Sequence, residues 1–277
     1  MAERQLDLYQ IDAFAERSFS GNPAAVVPLK HWLSDEQMLA IAAENNLSET
    51  AYFVRQETGR YALRWFTPAH EVDLCGHATL ASAYVIGRFL DRDAKRIAFD
   101  TLAGELLVTL EGDNLTLDFP SRPPLPASAE RRQQVEQALG SAPLAVLQAL
   151  NGTGKLMAVL ADPAAVAAVA PDFRQVAGFA SDGLIVTASG VDPSSAVHCD
   201  FVSRYFAPHA GIDEDPVTGS AHCVLVPYWA QELGKSRLVA RQISKRGGTL
   251  ACVLSGDRVL LTGKAALYMT GKIHLSD

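Results

Sequence analysis

The chain has 277 residues, 48% of them hydrophobic and 20% charged, which is enough apolar material for one large core or two of ordinary size. Its net charge of −7 argues against a nucleic-acid or anionic-membrane surface, where a basic face is expected. No apolar run is long enough to span a bilayer and the first residues lack a signal core. Four irregularly spaced cysteines make neither a disulfide framework nor a zinc cluster, so the expected setting is the reducing cytoplasm.

Leu6 to Asp12 alternates and predicts an opening strand; Ser20-Gly21-Asn22-Pro23 is a compact turn, and Ala24 to Pro28 a second strand. Ser34 opens a helix, with Gln37 in capping-box register and Met38, Ile41 and Ala42 on its buried face. Asn45-Asn46 ends it. Leu47-Ser48-Glu49-Thr50 then leads into a strand predicted over Ala51 to Val54, which puts Glu49 at a helix–loop–strand junction. A hairpin at Glu57-Thr58-Gly59 returns the chain as Tyr61 to Phe66, and Pro68 stops that strand because proline donates no amide hydrogen. A polar loop follows, then Cys75-Gly76-His77 and a helical run, Ala78 to Leu90, that is apolar or small nearly all round. Such a helix is expected to be enclosed by other structure.

Three strands are predicted next, over Ile97–Thr101, Glu105–Glu111 and Asn114–Phe119. Pro120 to Pro126 carries four prolines in seven residues and is the expected interdomain linker. Beyond it the pattern predicts a helix over Glu130–Leu139, strands near 145–149 and 155–160 joined by Asn151-Gly152-Thr153-Gly154, and short helical pieces over 162–169 and 173–178. A buried strand over 183–188 and another over His198–Phe206 lead to a second enclosed helix, Ala221 to Leu233. Short strands fill the remainder.

Part of this order occurs twice. Arg204-Tyr205-Phe206-Ala207-Pro208 repeats the pattern of Arg64-Trp65-Phe66-Thr67-Pro68, and Gly219-Ser220-Ala221-His222 opens its helix as Gly76-His77-Ala78-Thr79 opens the first. The offset is 140 residues at the strands and 143 at the glycines, a period that indicates two duplicated domains rather than a solenoid. Unpaired N–H groups in each helix's first turn form a ready site for an anion such as a carboxylate. His70, Glu71, Asp73, Cys75 and His77 crowd the first loop without a compact metal-ligand spacing, so no metal is expected. Neither a nucleophile elbow nor a dinucleotide fingerprint is present. What remains is acid–base chemistry without a bound cofactor. Each acidic residue retains a plain alternative as a helix cap.

Four motifs stand in order along the chain: Ser20-Gly21-Asn22-Pro23; Leu47-Ser48-Glu49-Thr50; Phe66-Thr67-Pro68 with Gly76-His77-Ala78-Thr79; and Asp215-Pro216-Val217-Thr218-Gly219-Ser220-Ala221-His222. Together they resemble the phenazine-biosynthesis PhzF-like family. The resemblance implies an α+β fold of the diaminopimelate-epimerase type: two pseudo-symmetric domains, each a curved sheet wrapped around a central helix, with the active site between them. A last strand returning to the first domain and a homodimer are also implied, which gives residues 1–120 with 265–277 as one domain and 121–264 as the other. Carried over by motif, Glu49 is the catalytic proton-transfer group with His77 and Asp215 as its partners, and Ser48, Gly76, Gly219 and Ser220 hold a small carboxylated substrate. The nearest precedent is isomerisation of a dihydro-hydroxyanthranilate. Two alternatives stand beside it: an epimerase or racemase of a small acid, and a non-catalytic small-acid or protein-binding module. The epimerases of this fold place a cysteine before each helix, whereas here Cys75 precedes the first and Thr218 the second.

Overall fold

A computed structural model of the chain describes residues 4–149, 154–180, 182–190 and 198–275, so the turn at 151–153 lies outside it. Its elements run β1 (Arg4–Ala13), β2 (Asn22–Leu29), α1 (Asp35–Asn45), β3 (Glu49–Glu57), β4 (Arg60–Phe66), β5 (Glu71–Val72), α2 (Gly76–Val85), β6 (Arg96–Thr101), β7 (Gly104–Glu111) and β8 (Asn114–Pro120). There follow β9 (Leu125–Pro126), α3 (Ala129–Leu139), β10 (Ala145–Gln148), β11 (Leu156–Val159), α4 (Pro163–Ala168), α5 (Phe173–Phe179), β12 (Leu184–Ser189), β13 (Phe201–Ala207) and β14 (Ile212–Glu214). The last are α6 (Gly219–Leu233), β15 (Arg237–Gln242), β16 (Gly248–Ser255), β17 (Arg258–Gly263) and β18 (Ala265–Leu275). The chain divides into two compact units: one extends to Asp118 and resumes at Thr262, and the other is Phe119–Leu261.

The two units repeat one ladder. In the first, β1–β2 is antiparallel, β2–β3 parallel, β3–β4 antiparallel, β4–β6 parallel and β6–β7 antiparallel. In the second the same sequence of pairings joins β10, β11, β12, β13, β15 and β16. Parallel neighbours need a crossover, and helices supply it. The chain passes from β2 to β3 through α1 and from β4 to β6 through α2. Likewise α4 and α5 link β11 to β12, and α6 links β13 to β15.

The crossovers differ in burial because their sequences differ. α1 presents only Met38, Ile41 and Ala42 to a core that includes Val27, Tyr52 and Phe66. In α2 every residue but Tyr84 is buried, and the helix packs against β1, β2, β3 and β18. α6 is buried along most of its length. Small and apolar residues all round thus produce a helix wrapped by strands, and this is the α+β architecture implied above.

The repeat extends to side chains. Arg64 clamps Glu71 with two bonds of 2.6 Å across the β4–β5 hairpin; Arg204 clamps Glu214 at 2.7 and 2.9 Å across β13–β14. Each guanidinium also covers a phenylalanine two residues on, Phe66 or Phe206. A third contact reaches the preceding crossover helix: Arg64 pairs with Asp35 in the first turn of α1, and Arg204 donates to carbonyls at the end of α4.

Three local expectations are corrected. β3 begins at Glu49 rather than Ala51, because parallel register with Ala24 draws Glu49 into the ladder. The proline-rich segment is not a free linker. Leu125 and Pro126 pair with Gln148 and Leu147, an edge position that tolerates proline, and Arg122 N–H donates to the Cys223 carbonyl at 2.9 Å. Finally, α2 ends at Val85 and continues as a π-helical turn, Ile86–Leu90.

Gly21 precedes Asn22 with φ +67, and a Cβ there would stand 2.1 Å from the Ala13 carbonyl oxygen. Gly21→Ala is expected to lower unfolding free energy by roughly 3 kcal/mol, combining left-handed strain with backbone overlap. Urea denaturation monitored by circular dichroism checks this; an unchanged midpoint would contradict it.

Candidate functional site

The first unit gathers its chemistry where β2, β3 and α2 begin. Glu49 is the first residue of β3, Asn22 the first of β2, Cys75 the N-cap of α2 and His77 its second residue. Glu49 Oε2 lies 3.2 Å from His77 Nε2, with the imidazole buried and the carboxylate mostly so. On the other edge of the ring, Nδ1 is 3.2 Å from Asn22 Nδ2 and 3.5 Å from Cys75 Sγ. An amide nitrogen and a thiol can both donate to Nδ1 of the neutral ring, whose proton then lies on Nε2; in the charged ring both nitrogens carry protons, so Nε2–H faces Glu49 in either form.

Burial disfavours charge on His77, but Cys75 and Glu49 beside it outweigh that and hold its pKa above the ordinary histidine range. Burial, reinforced by Glu49, pushes the Cys75 thiol up to about 11, so near neutrality it is a thiol and not a thiolate base. The Glu49–His77 contact has the separation of an ion pair without the alignment of a hydrogen bond. Glu49 Oε2 and His77 Nε2 are both buried, and neither has a hydrogen-bond partner among the described residues. Two adjacent polar atoms in that condition are poised to meet a third group.

Of the first-loop residues that might ligate a metal, Glu71 is committed to Arg64. The structure instead groups Glu49, Cys75 and His77, one ligand atom from each lying within 4.8 Å of the others. Sγ and Oε2 face opposite nitrogens of one imidazole, so a single ion would require the ring to turn.

In the second unit, Asp215 is buried and its N–H donates to the Tyr205 carbonyl at 3.0 Å. The Thr218 hydroxyl donates a short hydrogen bond to Asp215 Oδ2, and the side chain of Gln242 bonds to both residues. Gly219 and Ser220 are the first two residues of α6, as Gly76 and His77 are of α2; Ser48 is half-buried in the bend before β3. Neither N-cap, Cys75 or Thr218, makes a side-chain capping bond, so both helix starts lack the usual side-chain acceptor.

Aligning the two ladders shows what each unit holds in corresponding places. Phe66 pairs with Thr50 and Phe206 with Leu184, so Glu49 corresponds to Gly183. There a Cβ would stand 2.3 Å from the Tyr205 hydroxyl. Along the helix starts, Cys75 corresponds to Thr218, His77 to Ser220 and Thr79 to His222. The last two make the same bond: the Thr79 hydroxyl donates to the Cys75 carbonyl at 2.5 Å, and His222 Nδ1–H to the Thr218 carbonyl at 2.8 Å. The carboxylate–imidazole pair therefore belongs to the first unit alone.

Sequence reasoning passed over Asn22 and Gln242 as site residues. Asn22 stood in one of the four motifs, but it was read there as part of a turn and given no role in the site. Gln242 had no signal, since its partners lie 24 and 27 residues earlier.

Fold and site together define a duplicated α+β protein with an acid–base pair at the start of an enclosed helix. The profile described as "PhzC-PhzF: Phenazine biosynthesis-like protein" matches residues 11–271. Two uncharacterized isomerases of Pseudomonas aeruginosa are each 50% identical to this chain, covering 98% of it and 100% of themselves. A crystal structure of a PhzF-family phenazine biosynthesis protein from Enterococcus faecalis superposes with a TM-score of 0.88 at 42% identity, over 98% of this chain and 100% of that one. The chain belongs to the phenazine biosynthesis-like family, and it is an isomerase of that family. No helix among the described residues is long and apolar enough to cross a membrane.

His222 is fully buried, and burial lowers its pKa to about 4 despite its bond to the Thr218 carbonyl. Its unfolded value is about 6.5, so the unfolded chain binds the extra proton first as pH falls. Stability present above pH 6.5 is expected to drain away toward pH 4 by up to about 1.4 kcal/mol per pH unit from this group. His222→Gln should flatten that slope in urea titrations at stepped pH; parallel slopes would show that another group governs it.

Proposed function

We propose that the protein is a cofactor-independent isomerase that moves a proton between carbons of a small carboxylated substrate, with Glu49 as the shuttle. The observation that carries this is the buried pair of atoms, Glu49 Oε2 and His77 Nε2, 3.2 Å apart and each without a hydrogen-bond partner among the described residues. Glu49 takes a proton from one substrate carbon, the freed electron pair moves into the adjoining unsaturated system, and the protonated carboxyl returns the proton at another carbon. No net oxidation occurs. His77 Nε2–H steadies charge that develops on the substrate or on Glu49, and its proton is directed there by Asn22 and Cys75 on the far nitrogen.

The starts of α2 and α6 each lack a side-chain cap, and a helix start of that kind suits an anion such as a substrate carboxylate. Ser48 and Ser220 join that binding set by their places in the family motifs, and Asp215, with His77, exchanges a proton with a substrate oxygen or nitrogen that gains charge. A two-thiol racemase finds less support: Thr218 stands where a second cysteine is required, and the first thiol is held protonated. The dihydro-hydroxyanthranilate type of isomerisation is the substrate precedent, and a cytoplasmic homodimer the proposed form.

In heavy water, a panel of cyclic and amino-substituted carboxylates is expected to take up deuterium at carbon with the wild-type protein. Glu49→Gln should slow uptake about 10³-fold, the scale of a lost general base. NMR reads both; equal rates would remove Glu49 from its role, and ligand binding without any exchange would favour a binding module. Sedimentation is expected to give a single species of twice the 29.7 kDa chain mass. A monomer at micromolar concentration would refute the dimer.

A further inference from the structure

Gln242 ends β15 and is fully buried in the second unit. Its amide faces the turn from Asp215 to Thr218 that leads into α6. Nε2 donates to the Asp215 carbonyl at 2.7 Å and to Thr218 Oγ1 at 3.2 Å, while Oε1 accepts from Thr218 N–H at 2.9 Å. The orientation is forced by chemistry. Turned over, the amide would set its NH₂ against the Thr218 N–H and its oxygen against the Asp215 carbonyl, replacing two bonds by two repulsions.

That orientation has a consequence one residue further on. Because Nε2 can only donate, the Thr218 hydroxyl must accept from it. The single hydroxyl proton then points the other way, into the short hydrogen bond with Asp215 Oδ2. Polarity therefore runs in one direction, from Gln242 through Thr218 to Asp215. A hydrogen bond donated to a carboxylate favours the ionised form.

We propose that Gln242 is a positioning residue for Asp215: by fixing the direction of the Gln242–Thr218–Asp215 chain, it holds the Asp215 side chain as an ionised acceptor, ready to take a proton. The proposal rests on the reading that Asp215 exchanges a proton during turnover. It adds that the readiness of Asp215 is set from β15. Two further bonds steady the same turn, the Ser244 hydroxyl to the Pro216 carbonyl at 2.8 Å and Gly247 N–H to Ser244 Oγ at 3.1 Å. Tyr205 is a titratable neighbour of Asp215: its carbonyl accepts from Asp215 N–H and its hydroxyl from Lys155, and a change at position 242 touches neither bond.

The test uses the whole protein labelled with [¹³C]aspartate. The Asp215 carboxyl signal is assigned by its loss in Asp215→Asn and titrated in wild type, Gln242→Glu and Thr218→Val. Gln242→Glu removes the donor and lets the Thr218 proton turn away; Thr218→Val keeps the shape and deletes the hydroxyl. In both, the Asp215 titration midpoint is expected to rise. The acid limb of the pH–rate profile for deuterium exchange should move with it, and kcat should fall about tenfold with a smaller change in KM, the scale of one lost charged hydrogen bond. An unchanged Asp215 midpoint in a folded variant would overturn the proposal. If Gln242→Glu fails to fold by circular dichroism, Thr218→Val decides alone. A wild type that exchanges no proton would sink the functional reading on which this rests, while the titration, which needs no turnover, separately shows whether Gln242 sets the ionisation of Asp215.

Discussion

The constraint that governs this molecule is that two helices start inside their own domains. A helix start carries up to four N–H groups without intrahelical partners, and in solvent water satisfies them. Here α2 is buried at nearly every residue from Gly76 on, and its N-cap offers no side-chain acceptor; α6 begins the same way after Thr218. Much around these starts can be understood as managing that polarity. Strands wrap each helix, small residues let them approach, and the Arg64–Glu71 and Arg204–Glu214 clamps hold the hairpins that deliver the chain to each N-cap. A substrate anion would supply what a capping side chain supplies elsewhere.

Duplication made the scaffold, and divergence made it chemically one-sided. The two ladders retain the same pairings, the same clamp and the same bond from the fourth helical residue to the N-cap carbonyl. What changed is confined to a few positions. Glu49 has Gly183 for its counterpart, with the Tyr205 hydroxyl where a side chain would begin; Tyr205 in turn is held by a buried lysine, Lys155, whose pKa is lowered by burial. One unit thus offers an ionisable pair with unfilled hydrogen-bonding capacity. The other places hydrogen-bonded groups at the corresponding positions, Tyr205 against Lys155 and Thr218 against Asp215. A single base that removes and returns the proton fits this asymmetry better than two equivalent bases facing one carbon.

Much of the fold was legible in the residues because its strongest signals are local or repeated. The R-aromatic-F-x-P repeat marks the clamped hairpins, and the small-residue runs mark the enclosed helices, since burial on all sides leaves no room for polar faces. Glu49, His77 and Asp215 were found through motif resemblance; the spacing of residues 49 and 77 carries no hint that their side chains meet. That meeting depends on the parallel register of β2 with β3 and on where α2 begins. Asn22 and Gln242 were missed for the same reason. Each acts through a non-local contact, across 55 and 27 residues, and amides at strand ends leave no periodic trace. The proline-rich segment was legible in part: the two units divide just before it, at Asp118 and Phe119, but composition did not show that Leu125 and Pro126 pair as an edge strand.

The exchange of cysteine for threonine between Cys75 and Thr218 shows how one position can change its trade within a single chain. Cys75 sits beside a ring nitrogen and a carboxylate, in surroundings that keep it protonated, so its S–H serves as a weak donor to His77 Nδ1. A thiol suffices there because Asn22 makes the stronger bond to the same atom. Thr218 has the harder task of accepting from Gln242 and donating to Asp215 at once. A hydroxyl does both at short range, whereas a thiol is a poor acceptor and a long, weak donor. A cysteine at position 218 would match Cys75 but weaken the bonds that join Gln242, position 218 and Asp215. The N-cap threonine of α6 therefore links Gln242 to Asp215 through its hydroxyl, where the corresponding cysteine of α2 contacts His77 Nδ1.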